Sequence, residues 1–109
     1  MPKYAALVKY TPQALEGVRA DGYASRPVAL HEFAASMGGK IEFMEFIANG
    51  EYDFLGIFDM PSSDSYLAMT SFAGAAGAVE RSVIYELHSG EEIDAAVKAH
   101  TPDYTPPGG

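Results

Sequence analysis

The segment Ile41 to Met60 constrains this chain more than any other. Two apolar-rich runs flank Asn49-Gly50, and the turn leads into Glu51-Tyr52-Asp53. Asn-Gly between alternating runs is the strongest short-range hairpin signal, because a type I′ turn needs positive φ at both central residues. A two-residue turn fixes the register. On that register Ala48 faces Glu51, Phe46 faces Asp53, Met44 faces Leu55, Glu42 faces Ile57 and Lys40 faces Asp59. The other face pairs Ile47 with Tyr52, Glu45 with Phe54, Phe43 with Gly56 and Ile41 with Phe58. One face is nearly all apolar and aromatic, and the other mixes large apolar groups with charges. This predicts a sheet with helices on one side and something partly polar on the other.

The rest of the chain supplies the helices. Tyr4 to Tyr10 is a short, almost continuous apolar run and reads as a strand buried on both faces. Thr11-Pro12 is a helix start, a hydroxyl cap followed by Pro at the first helical position. Gly17 and Asp21-Gly22 interrupt this helix, and Ser25-Arg26-Pro27 reads as a second cap with Pro just inside. Leu30, Phe33, Ala34 and Met37 then form one apolar stripe, ended at Gly38-Gly39 by a left-handed cap. After Pro61, Ser62, Ser63 and Asp64 offer caps for a helix over 64–76 with Tyr66, Met69, Thr70 and Ala73 on one face. Val79 to His88 is rich in Val, Ile and Tyr and reads as a fourth strand. Ser89-Gly90-Glu91-Glu92 is a capping box that opens a short helix bearing Ile93, Ala96 and Val97. Residues 1–99 make one domain, and the Pro/Gly-rich stretch 100–109 is a flexible tail.

The order is βαββαβ with a short C-terminal helix. Right-handed crossovers place both long helices on one face of an antiparallel sheet, which is the ferredoxin-like α+β fold. The open face is expected to carry Met44, Phe46, Leu55 and Ile57 among Lys40, Glu42, Asp53 and Asp59. A patch of that kind marks an interface. Two sheets stacked face to face, as a dimeric α+β barrel, would bury it.

Composition narrows the function classes. Fifteen acids against seven bases give a net charge of −8, a poor match for nucleic acid or anionic membrane, both of which need neutralising cations. Zero Cys removes disulfides, thiolate nucleophiles and Cys-based metal sites and fits a cytoplasmic protein. No apolar run approaches the roughly 20 residues of a spanning helix. His31, His88 and His100 stand on different elements, and Glu86-x-His88 supplies two ligands at most, so neither a metal nor a cofactor is expected.

The stretch Tyr4 to Thr11, the helix exit Gly38-Gly39-Lys40, Gly50-Glu51-Tyr52-Asp53, the strand exit Asp59-Met60-Pro61 and Glu91-Glu92 together resemble the GYD-domain family, over roughly residues 3 to 98. The Gly-Glu-Tyr-Asp turn is the most specific element. The resemblance implies a place among the dimeric α+β barrels, which also hold antibiotic-biosynthesis monooxygenases, muconolactone isomerases and chlorite-dismutase-like proteins. It implies the barrel dimer and leaves the activity open.

Asp53 leads the candidate site residues. It is either a general base or ligand anchor, or a structural carboxylate that accepts backbone N–H groups near the turn or pairs with Arg81. Arg81 would clamp an anionic ligand bidentately or make an ordinary ion pair. His31 is a second catalytic candidate, at the border of a pocket between helix and sheet. Tyr10, Tyr52 and Tyr85 are candidate ligand-binding phenols, with core packing as the alternative. The expected function is a homodimer, joined through the open sheet face, that binds a small organic molecule between sheet and helices, either as a cofactor-independent enzyme or without catalysis. The alternative is a regulatory or assembly protein acting through its dimer surface.

Overall fold

The computed structural model describes residues 1–109. The elements run β1 (Lys3–Tyr10), α1 (Pro12–Asp21), α2 (Ser25–Ser36), β2 (Lys40–Phe46), β3 (Phe54–Asp59), α3 (Ser63–Ala75), β4 (Val79–Leu87) and α4 (Gly90–Lys98). The four strands form one antiparallel sheet in the order β2-β3-β1-β4. This is the ferredoxin-like α+β arrangement.

The caps follow from local chemistry. Thr11 Oγ accepts the Ala14 N–H, with Pro12 in the first turn of α1. Ser62 and Ser65 form a reciprocal capping box on α3, and Ser89 and Glu92 form one on α4. Gly38 takes φ +83°, the left-handed geometry expected where α2 ends. Ser25 differs from expectation. It is the first residue of α2, the cap position is Ala24, and the Ser25 hydroxyl instead donates to Gly22 O at 2.7 Å.

The core lies between the helices and one sheet face. β1 contributes Tyr4, Ala6, Val8 and Tyr10, and β3 contributes Phe54 and Phe58. α1 adds Val18, α2 adds Ala34 and α3 adds Tyr66 and Met69. Leu30, Phe33 and Met37 pack against this cluster, as the α2 stripe predicts. Tyr4 and Tyr66 stack with ring centroids 4.6 Å apart. β1 is buried on this face alone. Its alternate residues Ala5, Leu7 and Lys9 are half-buried, because nothing in the chain covers the other side.

The hairpin departs from the two-residue turn. The strands end at Phe46 and resume at Phe54, and the Ile47 N–H bonds Asp53 O across a longer loop. Asn49 has φ +60°, but Gly50 is not in the left-handed region, so the type I′ turn does not form. Gly50 is suited to its place for steric reasons, since a Cβ there would lie 2.6 Å from Ile47 Cγ2. Lys40↔Asp59 and Ile41↔Phe58 pair as expected. A bulge between Ile41 and Phe43 then shifts the register by one, giving Phe43↔Ile57, Met44↔Gly56, Glu45↔Leu55 and Phe46↔Phe54.

A one-residue shift exchanges faces. Met44 and Phe46 therefore pack on the core, with the Phe46 ring edge-on to Tyr23 at 5.0 Å. The open face instead carries Phe43, Leu55 and Ile57 beside Ala5 and Leu7, and Val83, Tyr85 and Leu87 from β4. Glu42, the residue at the bulge, reaches Lys3 at 3.1 Å and Lys40 at 3.9 Å.

The C-terminal region stands apart from this body. Every residue from Ile84 to Gly109 is exposed, and α4 has no extensive packing on another element. The radius of gyration is 17.1 Å and the longest extent 56 Å, against about 13 Å for a compact domain near this length. α4 and the tail form a projecting arm.

Met60 follows β3 and is fully buried, with its N–H bonded to Pro2 O at 2.9 Å. Met60→Ala should lower unfolding stability by about 2–5 kcal/mol through the lost burial and the remaining cavity. Urea denaturation followed by circular dichroism measures this, and an unchanged midpoint would contradict the placement.

Candidate functional site

A chamber of about 80 Å³ lies between the sheet and the helical layer. Val8, Phe54 and Phe58 line it from the sheet, and Phe33, Tyr66 and Met69 from the helices. Strand alternation aims Val8, Phe54 and Phe58 at the helices, and the α2 and α3 stripes return Phe33 and Met69 toward them. Gly56, between Phe54 and Phe58, leaves room for their rings: a Cβ there would lie 2.9 Å from the Phe58 ring. Ile84, also in the wall, is 38% exposed on the edge strand β4.

Two polar groups stand at one end of this apolar space. Tyr10, the last residue of β1, is 5% exposed, and its hydroxyl has no hydrogen-bond partner. Arg26, in the first turn of α2, has a buried Nε that is likewise unpartnered. Burial pushes the Tyr10 phenol up from its ordinary value, and the neighbouring Arg26 guanidinium pulls it part of the way back. Burial pushes the Tyr66 phenol up to about 12. Both phenols are therefore protonated at neutral pH. Tyr10 and Arg26 also border a second, outer groove of about 320 Å³ that contains Asp21 and Gly77. With Ala78 they line both spaces and form the partition between the inner chamber and that groove.

Of the candidate site residues Asp53, His31, Arg81, Tyr10, Tyr52 and Tyr85, only Tyr10 lines the chamber. Asp53 is half-buried just before β3, and its Oδ2 accepts the Tyr10 N–H at 2.7 Å. Its own N–H donates to Val8 O at 2.8 Å. It thus sits as a backbone-accepting carboxylate near the turn, one of the two roles open to it. Arg81 pairs with Glu51 at 3.1 Å rather than with Asp53, and its guanidinium lies over the Tyr52 ring at 5.3 Å. Arg81 and Tyr52 therefore form a separate cluster where β4 meets the hairpin loop. Tyr85 is 56% exposed on the open face, and His31 is exposed on α2.

Arg26 is a chamber residue hidden in the sequence by its place in Ser25-Arg26-Pro27, which reads as a capping segment. A signal was present. Arg26 stands four residues before Leu30 and seven before Phe33, so it continues the apolar stripe of α2 by one turn. A cation at the end of a core-facing stripe points its head toward buried space.

No three His, Asp or Glu side chains converge into a metal-binding cluster. A wider hollow of about 440 Å³ lies between α4 and the tail, with exposed walls including Ile93 and Val97. At its edge His88 Nδ1 lies 3.0 Å from Glu92 and Nε2 lies 3.5 Å from Glu86. The hydrogen bond with Glu92, then that with Glu86, raises the His88 pKa above its ordinary 6.5. The same bond with His88, then the Ser89 backbone N–H, lowers Glu92 below 4.5.

The family model described as GYD domain matches residues 4–97 of the chain. No curated protein matches it.

Asp53→Ala should cost about 1–3 kcal/mol, because it strips the acceptor from a buried Tyr10 N–H. Asp53→Asn keeps an amide oxygen at that position and should cost less. Equal stability of wild type and Asp53→Ala in urea would show that the bond contributes nothing.

The His88–Glu92 contact should make α4 sensitive to pH. A raised His88 pKa contributes fully below pH 6.5 and is lost as pH rises through its folded value. A depressed Glu92 pKa contributes fully above pH 4.5 and is lost as pH falls through its own folded value. Carbon chemical shifts along α4 should report the most helix between those limits, with a decline on the alkaline side. His88→Gln should abolish the alkaline decline, and its persistence in that variant would refute the assignment.

Proposed function

Because the chain belongs to the GYD-domain family, matched from residue 4 to residue 97, we propose that it is a homodimeric α+β-barrel protein that binds a small organic molecule in the chamber between its sheet and helices. The observation that carries the ligand reading is the chamber itself, an apolar space ending in an unpartnered, buried Tyr10 hydroxyl. Small-molecule sites commonly combine apolar walls with a few fixed polar groups. The titratable side chains in the wall are Tyr10, Tyr66 and Arg26, and the two phenols have raised pKa values. None of the three is a general base at neutral pH, which favours binding over proton abstraction within one chain.

Two observations support the homodimer. The sheet face away from the helices is uncovered and carries Leu7, Phe43, Leu55, Ile57 and Tyr85. The arm projects from the body with Ile93 55% and Val97 67% exposed. A second copy stacked on the open face would cover the first surface and give the arm a body to lie against. The same arm favours a second reading, in which the chain acts through its assembly and the chamber is a packing defect.

An obligate dimer of this kind buries about 2,000 Å² or more in total. Sedimentation equilibrium should give a dimer at micromolar concentration, and Leu55→Lys should yield a folded monomer. A wild-type monomer under those conditions would overturn the dimer. A thermal-shift metabolite screen on wild type and on Ala73→Phe, which fills the chamber from α3, tests the ligand reading. Ligands that stabilise only the wild type support it, and a screen with no chamber-dependent ligand supports the assembly reading instead.

A further inference from the structure

Resting on the chamber as a ligand site, we propose that its ligand is a small organic anion, a carboxylate on a short apolar body, read by Arg26 and Tyr10. The chain carries seven Lys and Arg residues, and Arg26 is the one whose side chain has a buried, unpartnered nitrogen. Lys3, Lys40 and Arg81 all have acidic partners. Arg26 makes no ion pair, although Asp21 borders the same outer groove. Its Nε is buried and unpartnered, beside a Tyr10 hydroxyl that is also buried and unpartnered.

Donor chemistry sets the sign of the ligand. A guanidinium only donates, and its planar fork matches a carboxylate bidentately. Burial keeps the Tyr10 phenol protonated, so it donates as well. Of the carboxylates nearby, Asp53 is committed to the Tyr10 backbone N–H, and Asp21 makes no ion pair with Arg26. A guanidinium that only donates, beside a phenol free to donate, fits an anion. A neutral amide would satisfy them less well, and an ammonium would be repelled.

Volume sets the size. A cavity of about 150 Å³ holds benzene. The chamber, at about 80 Å³, scales from that to an apolar body of about three non-hydrogen atoms. The partition formed by Tyr10 and Arg26 places the carboxylate at the boundary with the outer groove, where a longer or more polar head still finds room.

The test uses n-butyrate, whose propyl body matches the chamber, against butyramide and n-butylammonium of similar shape. Isothermal titration and thermal shift on the full chain should show saturable binding of butyrate, with the other two at least about tenfold weaker. Arg26→Gln should remove the preference for the anion, and Tyr10→Phe should weaken it. Should Arg26→Gln not fold, Arg26→Lys keeps the charge without the fork and should bind butyrate more weakly than wild type. Ala73→Phe should lose butyrate. Equal binding of butyrate and butyramide would overturn the anion proposal and leave the chamber reading standing. Undiminished butyrate binding by Ala73→Phe would place the anion outside the chamber and overturn the proposal. If none of the three binds while the metabolite screen finds a chamber ligand, the anion proposal fails alone; if that screen is also empty, both readings fail.

Discussion

The hydrogen bond from the Tyr10 N–H to Asp53 Oδ2 holds the point on which the architecture turns. β1 is a central strand, paired to β3 on one side and β4 on the other. Its last residue must stop pairing, begin a helix and leave a side chain in the core. Asp53 terminates the β3 side by accepting the Tyr10 N–H and donating its own to Val8 O. Thr11 terminates the β4 side, with its N–H on Ala78 O and its hydroxyl on Gly77 O at 2.7 Å. The same hydroxyl caps α1. Two adjacent residues thus tie the hairpin loop, the first helix and the α3–β4 connection together. The Tyr10 ring is set against Phe54 at 5.4 Å with its hydroxyl at the chamber. A charge-assisted bond to a backbone donor is stronger than a neutral one, which suits a junction carrying this many constraints.

That junction also explains why the Gly-Glu-Tyr-Asp turn is more than a turn. Each of its last three residues has a partner outside the turn. Glu51 pairs with Arg81, Tyr52 lies under the same guanidinium, and Asp53 holds β1. Arg81 stands on β4, two strands away from the hairpin, and Lys9 of β1 is its register partner. The loop therefore reaches across the sheet end and fastens it from above. An exposed ion pair contributes little by itself. Its use here is to fix where the loop lies, with the stacking on Tyr52 adding to it.

Element order, the helix caps at Thr11 and Ser89, and the apolar stripes of α2 and α3 were legible in the sequence, because each depends on neighbours within a few residues. The hairpin register was not. Asn49-Gly50 carries a strong local preference, but Asp53 is claimed by β1, and that tertiary bond opens the turn into a seven-residue loop over 47–53. The bulge before Phe43 then restores the original register at Lys40 and Ile41. Each feature offsets the other, so the base of the hairpin matched the expectation while Met44 and Phe46 changed faces. The chamber escaped for the same reason. Tyr10 was visible as a phenol at the end of a strand, but its neighbour Arg26 lies on α2, and only the packing of α2 on the sheet brings the two together.

Alternation along the strands separates the two surfaces on which function is argued. Ala6 and Val8 face the helices, with Leu7 between them on the open side; Phe54 lines the chamber while Leu55 faces away from it. Assembly through the open face and binding in the chamber thus use interleaved residues of the same strands, on opposite sides of one sheet. Substitutions at Leu55 and Ala73 share no side-chain surface, so their effects should add rather than couple. Coupling would require the sheet itself to move. The most direct place for that is the junction at Tyr10, where one residue anchors the backbone of the central strand and also presents the chamber's hydroxyl.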